Sequence, residues 1–266
     1  MNEAVYIHGT EREEQERLAL LNRLTNSAFV EFLELEAGDS VLEVGSGLGI
    51  LAGEVARHVS LGKVYGVEYS AAQLKLARRS SQNLHLVQAD AHHLPFEDEG
   101  LDVAYCRYVL EHVADPAQVL GEMRRVLKPG GKIFVQENNI LVIVFYPECP
   151  RFTRLWEKFA VLQERLGGDA LIGKKLLSLL QRAGFGEIKL SIQPEIHYSG
   201  KSSFRPWIEN QIGNVESAVE QLLTHGLATS EEIDSAIAEL RAFLSLDDAC
   251  AFFYWNRASG VKTFPE

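Results

Sequence analysis

The chain has 266 residues, 46% of them hydrophobic, with 37 acidic against 26 basic side chains and a formal charge of −11. That length buries a full core as one domain with room for an inserted subdomain, and the acidic balance argues against a nucleic-acid backbone as main partner. No apolar run reaches the roughly eighteen residues that a membrane span needs, and the start Met1-Asn2-Glu3-Ala4-Val5 lacks the basic and apolar regions of a secretion signal. The expectation is a cytoplasmic protein without a membrane span. Cys106, Cys149 and Cys250 are widely spaced and odd in number, which fits reduced thiols. No Cys/His cluster with metal-ligand spacing is seen, and His92-His93 read as loop residues.

In chain order, Thr10-Glu11-Arg12-Glu13 reads as a capping box that opens a helix from about Glu11 to Leu24. A second helix is expected from about Ser27 to Leu35. From residue 40 strands and helices alternate, the pattern of a parallel sheet covered on both faces. Strand one is Ser40–Val44, followed by a helix over Leu48–His58. Strand two is Lys63–Glu68, and Ser70 is a good N-cap for a helix over Ala71–Ser80. Strand three is Leu84–Gln88 and strand four Leu101–Cys106. Asp115-Pro116 opens a helix with the apolar stripe Val119, Leu120, Met123, Val126 and Leu127, stopped by Lys128-Pro129-Gly130-Gly131. Strand five is Lys132–Glu137. Helices over residues 151–166 and Ile172–Ala183, a strand over Glu187–Ile192, a mostly helical stretch and a last strand over Cys250–Arg257 complete the reading.

The most informative stretch is Val41-Leu42-Glu43-Val44-Gly45-Ser46-Gly47-Leu48-Gly49. A buried strand enters a turn with glycine at alternate positions and then a helix, so a ligand can lie against bare backbone at a helix start. The dinucleotide fingerprint wants glycine where Ile50 stands. Glu43, two residues before the first glycine, would repel a pyrophosphate and suits a cationic ligand instead.

The Glu-x-Gly-x-Gly-x-Gly pattern resembles motif I of the class I S-adenosylmethionine-dependent methyltransferases. Glu68 at the end of strand two, Asp90-Ala91 after strand three, Leu94-Pro95-Phe96, the run Arg107 to Val113 after strand four, and Leu127 to Gly131 before strand five agree with that family in order and distance. The resemblance covers residues 40–137. It implies S-adenosyl-L-methionine as cofactor, held by the backbone of Gly45, Ser46 and Gly47, with Glu43 ordering the turn and attracting the ligand's ammonium. Glu68 would accept the ribose hydroxyls, Asp90 with Ala91 would reach the adenine amino group, Tyr69 would meet the adenine edge, and Arg107 would touch cofactor or substrate. Tyr6, in Tyr6-Ile7-His8-Gly9-Thr10, resembles the start of a lid that closes over the cofactor in a subgroup of small-molecule members.

The resemblance implies an α/β, Rossmann-like fold: a mainly parallel seven-stranded sheet with helices on both faces, N-terminal helices, and a helical insertion before the last strand. The expected division is residues 1–36 as helical lid, 37–196 as cofactor-binding core, 197–249 as substrate cover and 250–266 as last strand and C-terminus. The chain reads as a monomer or homodimer. Methyl transfer from a sulfonium is an in-line displacement that gains most from alignment and desolvation, and it needs a base only if the acceptor arrives protonated. His112, His8 and His197 are the candidates, His112 first because it follows strand four; a structural role for Glu111-His112 competes.

Ile140–Tyr146, Phe152, Trp156, Tyr198, Phe204 and Trp207 are apolar or aromatic and suit a small, partly apolar organic acceptor, methylated at O, N, S or C. A quinone- or lipid-type C-methyltransferase and a non-catalytic scaffold of the same fold are the alternatives. A nicotinamide dehydrogenase is disfavoured by Ile50. Gly45→Val is expected to remove cofactor binding with the fold intact.

Overall fold

The computed structural model of the protein describes residues 26–77 and 80–264, so the predicted capping-box helix, Tyr6 and His8 lie outside the described residues. Helix α1 spans residues 26–32. It is followed by β1 (Ser40–Val44), α2 (Ile50–His58), β2 (Lys63–Glu68), α3 (Ala71–Leu76), β3 (Leu84–Gln88), β4 (Leu101–Arg107), α4 (Pro116–Val126) and β5 (Leu127–Glu137). Then come β6 (Val144–Tyr146), α5 (Pro150–Arg165), α6 (Leu176–Arg182), β7 (Phe185–Tyr198), α7 (Phe204–Ser217), α8 (Val219–Thr224), α9 (Ser230–Phe243) and β8 (Cys250–Lys262).

Local chemistry explains most of these boundaries. The Ser70 hydroxyl accepts from the Gln73 N–H at the start of α3, and the Asp115 carboxylate accepts from the Gln118 N–H with Pro116 in the first turn of α4. Thr229 and Glu232 form a reciprocal capping box that opens α9. Four of the predicted apolar residues of α4 (Val119, Leu120, Met123, Val126) are buried, each worth about 1.5–3 kcal/mol on leaving water; Leu127 instead starts β5. The helix after β1 begins at Ile50 rather than Leu48 because Gly47 and Gly49 both have positive φ (52° and 70°), which no right-handed turn accommodates.

The strands order as β3-β2-β1-β4-β5-β8-β6, with β7 on the other side of β8. β1 to β5 run parallel, and β8 runs antiparallel to β5, β6 and β7. The sheet therefore has eight strands, one more than the seven expected. The addition is Val144–Tyr146. β8 extends past the end of β5, and the chain returns from a short helical turn at Ile140–Val142 to pair with Cys250–Phe252 there. β7 and β8 are both longer than expected, since each supplies the other's partner from Phe185↔Lys262 to Tyr198↔Cys250. The predicted 172–183 helix splits into a tight turn, Ile172–Lys175, and α6. Gly173 is pressed against Asn138, whose carbonyl accepts the Gly173 N–H at 2.8 Å.

One face of the sheet packs on α1 and α2 through Phe29, Leu33, Leu51, Val55, Tyr105 and Phe134. The opposite face packs on α4 and α6. A third cluster joins α5, α7, α8 and α9 to Phe145, Phe253 and Trp255 at the far end of β6 and β8. The carboxyl ends of β1, β2, β3 and β4 and this helical cluster face one another across a cavity, at the place where open parallel sheets bind ligands.

Candidate active site

A cavity of about 830 Å³ is lined by Glu43, Gly45, Ser46, Gly47, Glu68, Tyr69, Asp90, Ala91, Arg107 and His112. The predicted cofactor-binding residues among the described ones are thus brought together with His112. His197 is not: it is buried away from the cavity, 2.9 Å from Ser203 Oγ and 3.2 Å from Glu195 Oε2, and stacked on Trp207.

The glycine turn is held by backbone. The N–H groups of Gly45 and Ser46 both donate to the Val67 carbonyl, at 2.8 and 2.9 Å. Gly45 has φ 75°, and a Cβ there would overlap Val109 Cγ2. The Glu68 carboxylate accepts from the Gly47 N–H at 2.9 Å and from the Ser70 N–H at 2.8 Å, so one side chain ties the turn after β1 to the turn after β2. Asp90 accepts from the His92 N–H and lies 2.7 Å from His92 Nδ1. Burial opposes its ionisation, but the His92 backbone and ring outweigh this and hold the Asp90 carboxyl below its usual range. Tyr69 is two-thirds exposed at the rim.

Glu43 sits beneath the turn, buried, and its Oε2 has no hydrogen-bond partner. Burial pushes its pKa up to about 8, and the nearby Arg107 charge and Tyr105 hydroxyl offset only part of that rise. A buried carboxyl with one oxygen unpaired is costly to ionise alone, and a cation in the cavity relieves that cost. Backbone turn, ribose-height carboxylate and buried acid together fit S-adenosyl-L-methionine, which carries a sulfonium and an ammonium.

Arg107, at the end of β4, donates through Nη2 to Asn26 Oδ1 at 2.7 Å, and its guanidinium lies 5.2 Å from the Phe29 ring and 5.3 Å from that of Tyr108. Tyr108 has φ 60°, a conformation uncommon for a side chain of that size. It is kept there by the Gln136 amide donating to its hydroxyl at 2.7 Å and by Trp255, 4.5 Å between centroids. The next turn, Leu110–His112, is clamped from behind: Glu137 Oε1 accepts the N–H groups of Val109 and Leu110 at 3.0 and 2.9 Å. Burial, and then the charge of Glu111, push the Glu137 pKa to about 8. His112 Nε2 lies 3.7 Å from Glu111 Oε1, and Gln163 donates to Glu111 Oε2 at 3.2 Å.

Beyond His112 the cavity opens into a chamber that sequence reasoning only partly foresaw. Ile140, Ile143, Trp156, Phe159, Phe253 and Trp255 form apolar walls. Val144 and Tyr146, expected among the residues that suit the acceptor, instead belong to β6 and are exposed, as is Tyr198; Phe204 is buried in the helical cluster. The missed residues are amides: Gln163 on α5 and Asn210, Gln211 and Asn214 on α7, beside Trp207. The spacing 207, 210, 211, 214 is one helix face. That face is visible in the sequence, but nothing there says it meets a ligand.

Residues 42–135 match the family described as methyltransferase domain. The chain is 36% identical over 168 residues to an uncharacterised 37.1 kDa protein in transposon TN4556 of Streptomyces fradiae, covering 61% of this chain and 48% of that one. It thus spans about half the length of that relative. Identity is 33% over 168 residues with the ubiquinone/menaquinone biosynthesis C-methyltransferase of Bdellovibrio bacteriovorus, covering 61% of this chain and 69% of that protein. The fold is similar to phosphoethanolamine N-methyltransferase 2 of Haemonchus contortus in complex with S-adenosyl-L-methionine, with a TM-score of 0.56 at 19% identity over 94% of this chain and 53% of the other. With a turn, a buried acid and a relative matched over two thirds of its length, the chain belongs to the S-adenosylmethionine-dependent methyltransferases.

Proposed function

We propose that the protein methylates a small, neutral, partly apolar organic molecule seated in the chamber between His112 and α7. The chamber itself carries this reading: aromatic and aliphatic walls interrupted by uncharged amides (Gln163, Asn210, Gln211, Asn214) favour a planar or greasy frame bearing hydroxyl or carbonyl groups over a charged acceptor. Bound S-adenosyl-L-methionine supplies an electrophilic methyl group on sulfur. The glycine turn and Glu68 align the cofactor, Asp90 and Ala91 take the adenine, Tyr69 flanks its edge, and Glu43 and Arg107 set the field at the methionine end. His112, beside the Glu111 carboxylate, takes the proton of an O–H or N–H acceptor as the methyl transfers. C-methylation of a quinone-type ring is the second reading, favoured by the name of the Bdellovibrio relative and by the apolar walls.

Incubation with methyl-labelled cofactor and a panel of phenols, quinols, neutral amines and phosphorylated amines tests the proposal. Label is expected in the neutral ring compounds and not in the phosphorylated ones; uptake confined to charged acceptors refutes it, and cofactor heat with no uptake by any acceptor points to a scaffold. In the same assay His112→Gln should lower turnover of a phenolic acceptor about 10²–10⁴-fold with unchanged cofactor affinity; full turnover assigns His112 to structure. Glu68→Ala removes charge-assisted hydrogen bonds worth about 1.5–3 kcal/mol, so cofactor affinity by calorimetry should fall roughly 10- to 150-fold. An unchanged dissociation constant would remove Glu68 from the site.

A further inference from the structure

The far end of the β6-β8-β7 sheet is covered on one face only. Along β8 the side chains alternate: Phe253 and Trp255 point into the helical cluster and line the chamber, whereas Phe252 and Tyr254 point the other way. Directly beside Phe252 in the register stand Val144 of β6 and Ile196 of β7, and beside Cys250 stand Tyr146 and Tyr198. Pro194 and Ile192 continue the row opposite Tyr254 and Asn256. On this face α6 and the Ile172–Lys175 turn reach only as far as Ala258 and Asn256.

Val144, Tyr146, Ile192, Ile196, Tyr198 and Phe252 consequently keep 43–61% of their surface in water. These six expose on the order of 600 Å², at the upper end for the largest apolar patch of an ordinary monomer. No Asp, Glu, Lys or Arg projects from this face between Ile192 and Tyr198, along Val144–Tyr146 or between Cys250 and Asn256.

We propose that this bare sheet face is the contact between two copies of the chain, packed face to face about a two-fold axis. The area approaches the roughly 800 Å² per partner of a stable interface. A flat, uncharged row of aromatic and branched side chains is complementary to itself and packs as sheets do in a sandwich. Addition of strands edge to edge is interrupted by Pro194 in the middle of the edge strand β7. A lipid surface fits less well: Lys201, its Nζ 6.0 Å from the Tyr198 ring centroid, stands at one end of the face, but the formal charge of −11 is repelled by anionic headgroups. Helix α1 lies on the opposite face of the sheet, where Phe32 packs on Phe134 and Arg257. Because Phe253 and Trp255 alternate with the contact residues, the partner would brace the chamber wall from behind.

Sedimentation velocity of the full chain at micromolar concentration tests this. The wild type is expected to run as a dimer of twice 29.7 kDa. Ile192→Glu and Phe252→Glu, each placed on the exposed face, should associate at least tenfold more weakly, with the thermal shift caused by S-adenosyl-L-methionine unchanged as proof of folding. Val144→Glu is the substitute if either fails to fold. A wild type that stays monomeric, variants that dimerise as well as wild type, or a monomer that co-sediments with phosphatidylcholine vesicles would each overturn the proposal.

Discussion

Gly45→Val is expected to abolish measurable binding of S-adenosyl-L-methionine and, contrary to the expectation from sequence, to destabilise the fold as well. Gly45 has φ 75°, which costs a side-chain-bearing residue about 1–2 kcal/mol. Its Cβ would also overlap Val109 Cγ2, and overpacking of that kind costs about 1–3 kcal/mol. The two penalties act on one hinge: Val109 precedes the Leu110–His112 turn, whose N–H groups Glu137 holds. Pushing Val109 away therefore moves the floor of both the cofactor turn and the base. Denaturant unfolding and calorimetry on the same preparation read the two effects separately. Gly45→Ala in a Val109→Ala background relieves the overlap but keeps the backbone strain, so part of the stability should return. Cofactor affinity equal to wild type in Gly45→Val would refute the turn assignment, and wild-type stability would refute the steric one.

The ligand-free protein should lose stability as pH rises, an unusual direction for an acidic protein. Glu43 and Glu137 have pKa values raised from 4.5 to about 8. Between those limits the folded state keeps protons that the unfolded chain has released. The unfolded state binds fewer, so unfolding becomes easier with rising pH across that window and levels off above about 8. At about 1.4 kcal/mol per pKa unit the loss is on the order of several kcal/mol. Asp90 and Glu122 are shifted the other way and act only at lower pH. Glu43→Gln, neutral throughout, should remove the Glu43 share of the slope, leaving that of Glu137, and be more stable than wild type at pH 9 while binding cofactor more weakly. A cationic ligand favours the ionised Glu43, so the stabilisation by S-adenosyl-L-methionine should be larger at pH 9 than at pH 6. Denaturant titrations at the two pH values decide: parallel behaviour of wild type and Glu43→Gln would show that Glu43 does not carry the effect.

Much of the cofactor half was legible because it is local. Glu43, the glycines and Glu68 lie on consecutive strand-turn-helix units, where backbone conformation and spacing place side chains before any distant contact forms. Boundaries set by capping, such as Ser70 and Asp115, were legible for the same reason. The length of β7 and β8 was not. Gln193, Glu195 and His197 break the apolar alternation, yet Gln193 accepts from Arg257, Glu195 from Trp255, and His197 is buried against Trp207. These are partners some 60 residues away or on another element.

The sequence by itself determined that the first strands run parallel, the sulfonium-type cofactor turn and the acids beneath and beside it, since each depends on residues within short strand-turn-helix units. Only the tertiary structure decided that β6 exists, that Val144 and Tyr146 turn from the site, that His112 rather than His197 reaches the cavity, and that α7 presents its amides there. Those outcomes rest on long-range strand pairing and on which helix face meets the sheet, and neither is encoded in any window of neighbouring residues.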